Sequence, residues 1–183
     1  MFSMLFEVRP KGDQGDAYLG YARMLKPELE GIDGFVDNIR YRSLTREGWI
    51  LSLSTWRDEK ALVRWRTRAR HHEVQEKGRR EVLRDYHLRV GQLTRDTRLP
   101  ESSELHEQRL DETETGDATT VTLIDAKRPP DWVGKTTPQE VAGWLGLSLR
   151  NGARLRRVRV VRDYGMHERH EAPQYFPDVS GTD

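Results

Sequence analysis

Residues 34–56, GFVDNIRYRSLTREGWILSLSTW, decide the fold of this chain. Within residues 34–41 the side chains alternate between the two sides of an extended backbone, a pattern typical of a strand. Residues 49–56 predict a second strand, and residues 45–48 provide the turn between the two. Because this connection is so short, we expect the strands to pair as an antiparallel hairpin.

A strand and a helix precede the hairpin. Residues 1–8 form an apolar, β-favouring run, which predicts a buried strand. Tyr18, Ala22 and Leu25 then recur at helical spacing. Pro27 lies inside this pattern and is expected to kink or restart the helix, because proline lacks the N–H donor that the preceding turn needs.

A second helix and a fourth strand follow the hairpin. Asp58 is placed to cap the helix. The residues that share the inner face of this helix are Leu62, Trp65, Ala69 and His72. Residues 86–93 predict the last strand. The order strand, helix, strand, strand, helix, strand within residues 1–98 predicts an α+β domain with the ferredoxin-like split βαβ fold.

The predicted sheet has helices on one face only. Its other face carries apolar and aromatic side chains, which a monomer rarely leaves exposed to water. The chain is also thin in core-forming residues, with 35% hydrophobic against 33% charged side chains among its 183 residues. We therefore predict a homodimer in which two sheets pack face to face, as a dimeric α+β barrel.

The rest of the chain divides into a linker and an extension. Residues 99–118 are rich in Asp and Glu and have almost no apolar periodicity, which indicates an acidic linker. Residues 119–183 predict a C-terminal extension with strands at residues 120–124 and 155–161 and a helix that begins with the capping box at residues 137–140. This leaves no room for a hairpin and a second helix, so we interpret the extension as a partial second βαβ unit that packs on the barrel.

Charge and composition exclude several classes of function. The 31 Lys and Arg side chains balance 30 Asp and Glu at a net charge of +1, so no overall field draws the chain to nucleic acid or to an anionic membrane. The chain has no cysteine, which excludes disulfides, thiolate nucleophiles and cysteine-bound metals. The opening MFSMLF is too short for a signal or a membrane span. We expect a cytoplasmic protein with no nucleic-acid or membrane partner.

Two local clusters raise the question of a metal or a nucleic-acid site. His167 and His170 have an HxxH spacing, but no third ligand accompanies them, so no metal site is predicted. The strand at residues 155–161 carries several arginines without interleaved aromatic residues. That pattern favours a solvated or acid-paired face over nucleic-acid binding.

Three strings carry a resemblance to a known family, namely IDGFVDNIRYRSL, ILSLSTWRDEKALVRWR and HHEVQEKGRREVLRDYHLRV. In that order they resemble the antibiotic biosynthesis monooxygenase (ABM) superfamily of dimeric α+β barrels. The tail RLRRVRVVRDYGMHERHEAPQYFP resembles the end of members with two repeats. The resemblance covers most of residues 2–98 and about residues 155–177. It implies an oxygenation without a bound metal or flavin, in which a deprotonated aromatic or polyketide-like small molecule transfers an electron to O₂.

The resemblance also implies a dry, aromatic-lined cavity with a base and with donors for a developing oxyanion. Trp65 matches the tryptophan of active members, although core packing is the alternative for it. The base is His71, which the family pattern favours, or His72, which helical spacing places on the face of Trp65. The other histidine is then a solvated surface residue.

Further candidates lie on the strands. Asn38 and Arg40 alternate onto one face of the hairpin and are either donors to an oxyanion or solvated at a sheet edge. Tyr86 is either a proton donor or a packing residue. Glu7 stands where some active members carry an asparagine, and this departure puts a direct transfer of their mechanism in doubt.

Two alternatives stand beside a cofactor-independent monooxygenase. One is a non-catalytic module of the same fold that binds a small ligand or serves assembly. The other is a haem-degrading monooxygenase, whose axial histidine falls at Gln75 here, so that only His71 or His72 is available as a ligand. A cavity of about 300 Å³ or more, lined by Trp65 and one histidine, favours catalysis. A space filled with packed Leu and Phe favours the non-catalytic module.

Overall fold

The computed structural model describes residues 1–99, 105, 119–125 and 152–172, and the structural statements below concern these residues. The elements are β1 (Phe2–Pro10), α1 (Gly15–Glu30), β2 (Phe35–Arg42), β3 (Ile50–Trp56), α2 (Glu59–Arg66), α3 (Ala69–Lys77), a π-helical turn (Gly78–Val82), β4 (Leu83–Asp96), β5 (Thr120–Asp125) and β6 (Arg154–Gly165). The helix predicted after residue 137 and nearly all of the predicted linker lie outside the described residues.

The described strands form one antiparallel sheet in the order β2-β3-β1-β4-β6-β5. The first four have the order β2-β3-β1-β4, with both crossovers made by helices, which confirms the predicted ferredoxin-like α+β fold. The hairpin is also as predicted, with Tyr41 opposite Leu51 in its register. Strands β5 and β6 continue this sheet beyond β4.

The helices begin and end partly as predicted. The carboxylate of Asp58 accepts a hydrogen bond from the Ala61 N–H at 2.8 Å and caps α2. The helix does not restart at Pro27: α1 runs through it, and the Pro27 carbonyl accepts the Gly31 N–H at 3.1 Å. No helix in the described part of the chain is long and apolar enough to span a membrane.

The second helix, by contrast, does not continue as one element to His72. It ends at Arg66, and α3 begins at Ala69 after Arg68, whose ψ of 126° is extended. The Thr67 hydroxyl donates to the Val63 carbonyl at 2.9 Å and closes the last turn of α2. The prediction that one continuous helix face carries Trp65, Ala69 and His72 is therefore wrong for the residues after Trp65.

The helices cover one face of the sheet. Buried side chains from the first and third strands, such as Phe2 and Trp56, meet Leu25 of α1 and Trp65 of α2 in the main core. Fully burying an aromatic or aliphatic side chain of this size contributes about 1.5–3 kcal/mol relative to leaving it in water. This core holds the helices against the sheet.

The opposite face of the sheet has a core of its own. The buried side chains there are Met1, Leu5, Leu53, Leu93 and Val158, and those packed against them include Leu51, Val121 and Leu123. The sheet curls until its two edges meet. The Tyr41 hydroxyl of β2 donates to Asp125 of β5 at 3.3 Å, and Arg154 of β6 lies 3.6 Å from Asp37 of β2. The chain thus covers its own second sheet face.

Two arginines of β6 form ion pairs with acids. Arg154 makes an ion pair of 2.6 Å with Asp96, and Arg162 approaches Glu59 at 3.9 Å. These two pairs fit the acid-paired alternative at the ends of this strand, and their shortest partners lie in β4 and α2.

Replacing Val158 by Asp tests the second core. Val158 is fully buried, so an unpaired carboxylate there is expected to lower the free energy of unfolding by several kcal/mol. Val36→Asp is the matched control, because Val36 is 42% exposed and its replacement is expected to cost less than about 0.5 kcal/mol. Urea denaturation measures both. Equal stability of the two variants would contradict a packed core on this face.

Candidate active site

A cavity of about 180 Å³ lies between the helices and the sheet. Its wall is mostly apolar, and the aromatic side chains of Phe, Tyr and Trp in it are Phe6, Tyr18, Tyr21, Trp56, Trp65, Tyr86 and Tyr164. Trp65 and His71 both line it, as the catalytic interpretation requires. The volume is smaller than the expected 300 Å³ or so, which restricts the site to a small ligand.

Trp65 and His71 form the centre of the wall contributed by α2 and α3. Their rings stack with centroids 4.1 Å apart and an interplanar angle of 26°. The break between α2 and α3 produces this contact, because it turns α3 so that position 71 rather than 72 returns to the face of Trp65. His72 is half-buried and is not among the side chains that line the cavity.

The environment of His71 keeps its ring neutral. Burial lowers the pKa of His71 to about 4, a nearby His72 adds to the effect, and the carbonyls of Trp65 and Arg66 oppose it. The buried Nδ1 atom of His71 has no hydrogen-bond partner among the described residues. At neutral pH the ring is therefore unprotonated, and one of its nitrogens can act as a hydrogen-bond acceptor.

The β2–β3 side of the cavity holds the two strand candidates. The Asn38 amide donates to the Ser52 hydroxyl at 3.0 Å and to the Leu53 carbonyl at 3.3 Å, so its N–H groups are engaged within the protein. Arg40 lies on the more exposed rim of the cavity. Burial raises the pKa of the Tyr18 hydroxyl, while its contacts with Arg40 and Ser52 lower it in part. Arg40 and Tyr18 are the donors at this side.

The β4–β6 side of the cavity contains two residues that the sequence did not predict as site residues. Tyr164 and Arg169 join Tyr86 in the cavity wall. Arg169 donates a hydrogen bond to the Tyr86 hydroxyl, and burial raises the pKa of Tyr164 to about 12. The sequence offered one signal, the resemblance of the tail to the end of two-repeat members.

The HxxH spacing noted in the sequence lies beside Arg169. Both His167 and His170 are exposed. No group of three or more metal-binding side chains was found among the described residues.

The charged side chains in the cavity wall share one sign. Arg40, Arg79 and Arg169 line it, and Asp and Glu are absent from the described lining. Guanidinium groups remain protonated at any physiological pH. An apolar cavity with three arginines in its wall favours a small organic anion.

Glu7, the departure from the family pattern, lies away from the cavity. It accepts hydrogen bonds from Arg46 at 2.9 Å and from Arg89 at 2.8 Å. Alternation along β1 places it on the face opposite Phe6, which lines the cavity. Glu7 therefore does not replace the asparagine of those members in the site.

The cavity does not fit haem. Gln75 lines it at the position where the resemblance places an axial histidine, and glutamine is not a usual haem ligand. A porphyrin ring is also much larger than a space of about 180 Å³.

A ferredoxin-like sheet with a small apolar cavity under its helices is an arrangement that can hold a small organic molecule. The family model for antibiotic biosynthesis monooxygenase matches residues 1–77. A Pyricularia oryzae protein named jasmonate monooxygenase ABM is 44% identical over 215 aligned positions, which cover 98% of this chain and 100% of that protein. The chain belongs to the antibiotic biosynthesis monooxygenase family, which confirms the resemblance.

Solved structures are more distantly similar. A Shewanella oneidensis protein has 11% identity and a TM-score of 0.46, covering 49% of this chain and 86% of its own. A Pseudomonas aeruginosa protein has 13% identity and a TM-score of 0.43, covering 49% and 89%.

The low pKa of His71 predicts a pH-dependent stability. Below pH 6.5 the unfolded chain binds a proton at His71 that the folded protein does not bind until about pH 4. Stability is therefore expected to fall as pH falls through this window, by about 2 kcal/mol between pH 7 and pH 5. His71→Gln should remove this part of the slope, and His72→Gln should retain it. Urea unfolding at both pH values measures the difference, and equal slopes in wild type and His71→Gln would refute it.

Proposed function

We propose that this protein is a monooxygenase that acts on a small, mostly apolar carboxylic acid. The observation that carries the proposal is the cavity wall, in which three arginines and no described carboxylate accompany aromatic and aliphatic side chains. Jasmonate is the first candidate substrate, because it joins a carboxylate to an apolar ring and chain. The name of the Pyricularia oryzae protein supports this choice.

The stoichiometry of the reaction determines which compounds must enter the site. Hydroxylation of a carbon atom by O₂ places one oxygen atom in the new C–O–H group, and the other leaves as water. The balance requires two electrons and two protons in addition to those of the C–H bond. With an acid such as jasmonate, a two-electron reductant of the nicotinamide or thiol class therefore supplies them as a co-substrate.

The side chains have distinct proposed roles. His71 moves the proton at the carbon or oxygen that reacts, since its ring is neutral at pH 7 and its Nδ1 atom has no hydrogen bond to the described part of the chain. Trp65 fixes the plane of that ring through the stack and helps to exclude water. Arg40 and Tyr18 stabilise negative charge on a substrate oxygen, and Asn38 holds Ser52 of the same cluster in place.

Oxidation of an aromatic or polyketide-like molecule without a bound cofactor is the second candidate. The aromatic wall and the neutral His71 favour it. An anthrone needs no added reductant: its methylene group loses both hydrogens, one oxygen atom of O₂ becomes the new carbonyl, and the other leaves as water. A requirement for reductant thus separates the two substrate classes. A non-catalytic module would bind either compound and oxidise neither.

Isotope labelling tests the proposed activity. With jasmonate, ¹⁸O₂ and a two-electron reductant, we expect a product that carries one labelled oxygen atom, detected by mass spectrometry. His71→Gln is expected to lower the rate by about 100-fold or more, whereas His72→Gln should remain close to wild type.

An anthrone without reductant forms the parallel arm of this experiment. Label in the anthrone product alone would replace the proposed substrate class with the second candidate. If no product of any acid or anthrone carries label from ¹⁸O₂, with or without reductant, the proposed monooxygenase activity is rejected.

The oligomeric state bears on how the site is enclosed. The sheet face that predicted a homodimer is covered by β5 and β6, so we propose that one chain encloses its own barrel. We expect a native mass close to the 21.4 kDa of a single chain at micromolar concentration, measured by light scattering. A stable species of twice this mass would instead support the predicted homodimer. The cytoplasmic location stays a prediction.

A further inference from the structure

The chain that follows β6 forms part of the cavity wall. Residues 165–172, here named the C-terminal turn, fold back towards β4. The Met166 N–H donates to the Tyr86 carbonyl at 3.1 Å, and the Gly165 N–H donates to the Glu168 carbonyl at 2.8 Å. These bonds hold Arg169 in the wall opposite β2 and β3.

We propose that Arg169 is a substrate-positioning residue that binds the carboxylate of an acidic substrate, with Tyr86 as the second donor. This inference rests on the function proposed above and names the residues that select an acid. Both residues lie beyond the segment that matches the family model, which ends at residue 77.

The hydrogen bond between the two residues orients both of them. Arg169 donates through Nη1 to the Tyr86 hydroxyl oxygen. A hydroxyl that accepts in this way points its own proton elsewhere. Because both side chains line the cavity, a carboxylate placed beside them meets a guanidinium N–H and a phenolic O–H. Charge-assisted hydrogen bonds of this kind are the stronger ones.

The surroundings favour Arg169 over Arg40 as the anchor. The Arg169 guanidinium lies 5.9 Å from the ring centroid of Tyr164. Tyr86 and Tyr164 are buried, with 6% and 7% exposure, whereas Arg40 is on the solvent-exposed rim. An ion pair is screened less among buried rings than at a rim in contact with water.

Binding of an acid and its neutral ester tests the anchor. Jasmonate and methyl jasmonate are titrated into the full chain by calorimetry. We expect wild type to prefer the acid by about 10- to 100-fold. Arg169→Gln should lose this preference by weakening the acid alone, and Arg169→Lys should retain part of it. Tyr86→Phe keeps the ring and should weaken the acid several-fold.

A matched control comes from the same turn. His170 has a side chain that is 78% exposed, so His170→Gln should preserve the preference and the melting temperature. Melting temperatures of all variants identify any that fail to fold. An Arg169→Gln protein that folds and keeps the preference would overturn the proposal, as would loss of the preference in Arg40→Gln instead.

The two proposals fail in different ways. If wild type binds acid and ester equally, the proposed role of Arg169 is wrong, while binding of a small apolar substrate in the cavity is retained. If wild type binds neither compound, the jasmonate-type substrate is rejected and the anchor with it.

Discussion

The structure depends on one constraint, that both faces of a single antiparallel sheet must be kept from water. The helices cover one face, and the curl of the sheet covers the other by bringing β2 against β5 and β6. The contacts from Tyr41 to Asp125 and from Arg154 to Asp37 join edges that lie at opposite ends of the strand order. Because the second face is filled by the chain itself, the cavity on the first face lies against a sheet that is packed on its other side.

The break between α2 and α3 converts this scaffold into a site. A continuous helix through Trp65 would place His72, seven residues later, on the same face. The backbone is instead extended at Arg68, so the side chains of α3 do not continue the helical spacing of α2. As a result, His71 stacks on Trp65. The same stack buries the imidazole, which explains both its low pKa and why the ring is neutral at pH 7. Local backbone geometry thus selects between two adjacent histidines.

The sequence predicts those features that depend on short-range patterns. The hairpin, the Asp58 cap and the position of Trp65 in the core follow from alternation, capping chemistry and helical spacing. It does not predict the features that depend on long-range register. Arg169 joins the cavity wall because β6 pairs with β4, and the pairing that brings β5 and β6 into the sheet is not evident from short-range patterns.

A bulge in β6 allows side chains of this strand to contribute to the second core on one face of the sheet and to the cavity wall on the other. Without it, strict alternation from Val158 would direct Tyr164 to the same face as Val158, away from the cavity. The register shifts between Val90 and Gly91, leaving Val161 as the extra residue, and the side-chain alternation reverses. Val158 therefore fills the second core and Tyr164 lines the cavity. A Cβ at Gly91 would lie 2.4 Å from Val158 Cγ1 and 2.5 Å from the Arg159 carbonyl, so this close approach requires glycine. The enclosure of the barrel and the composition of the site thus depend on the same irregularity.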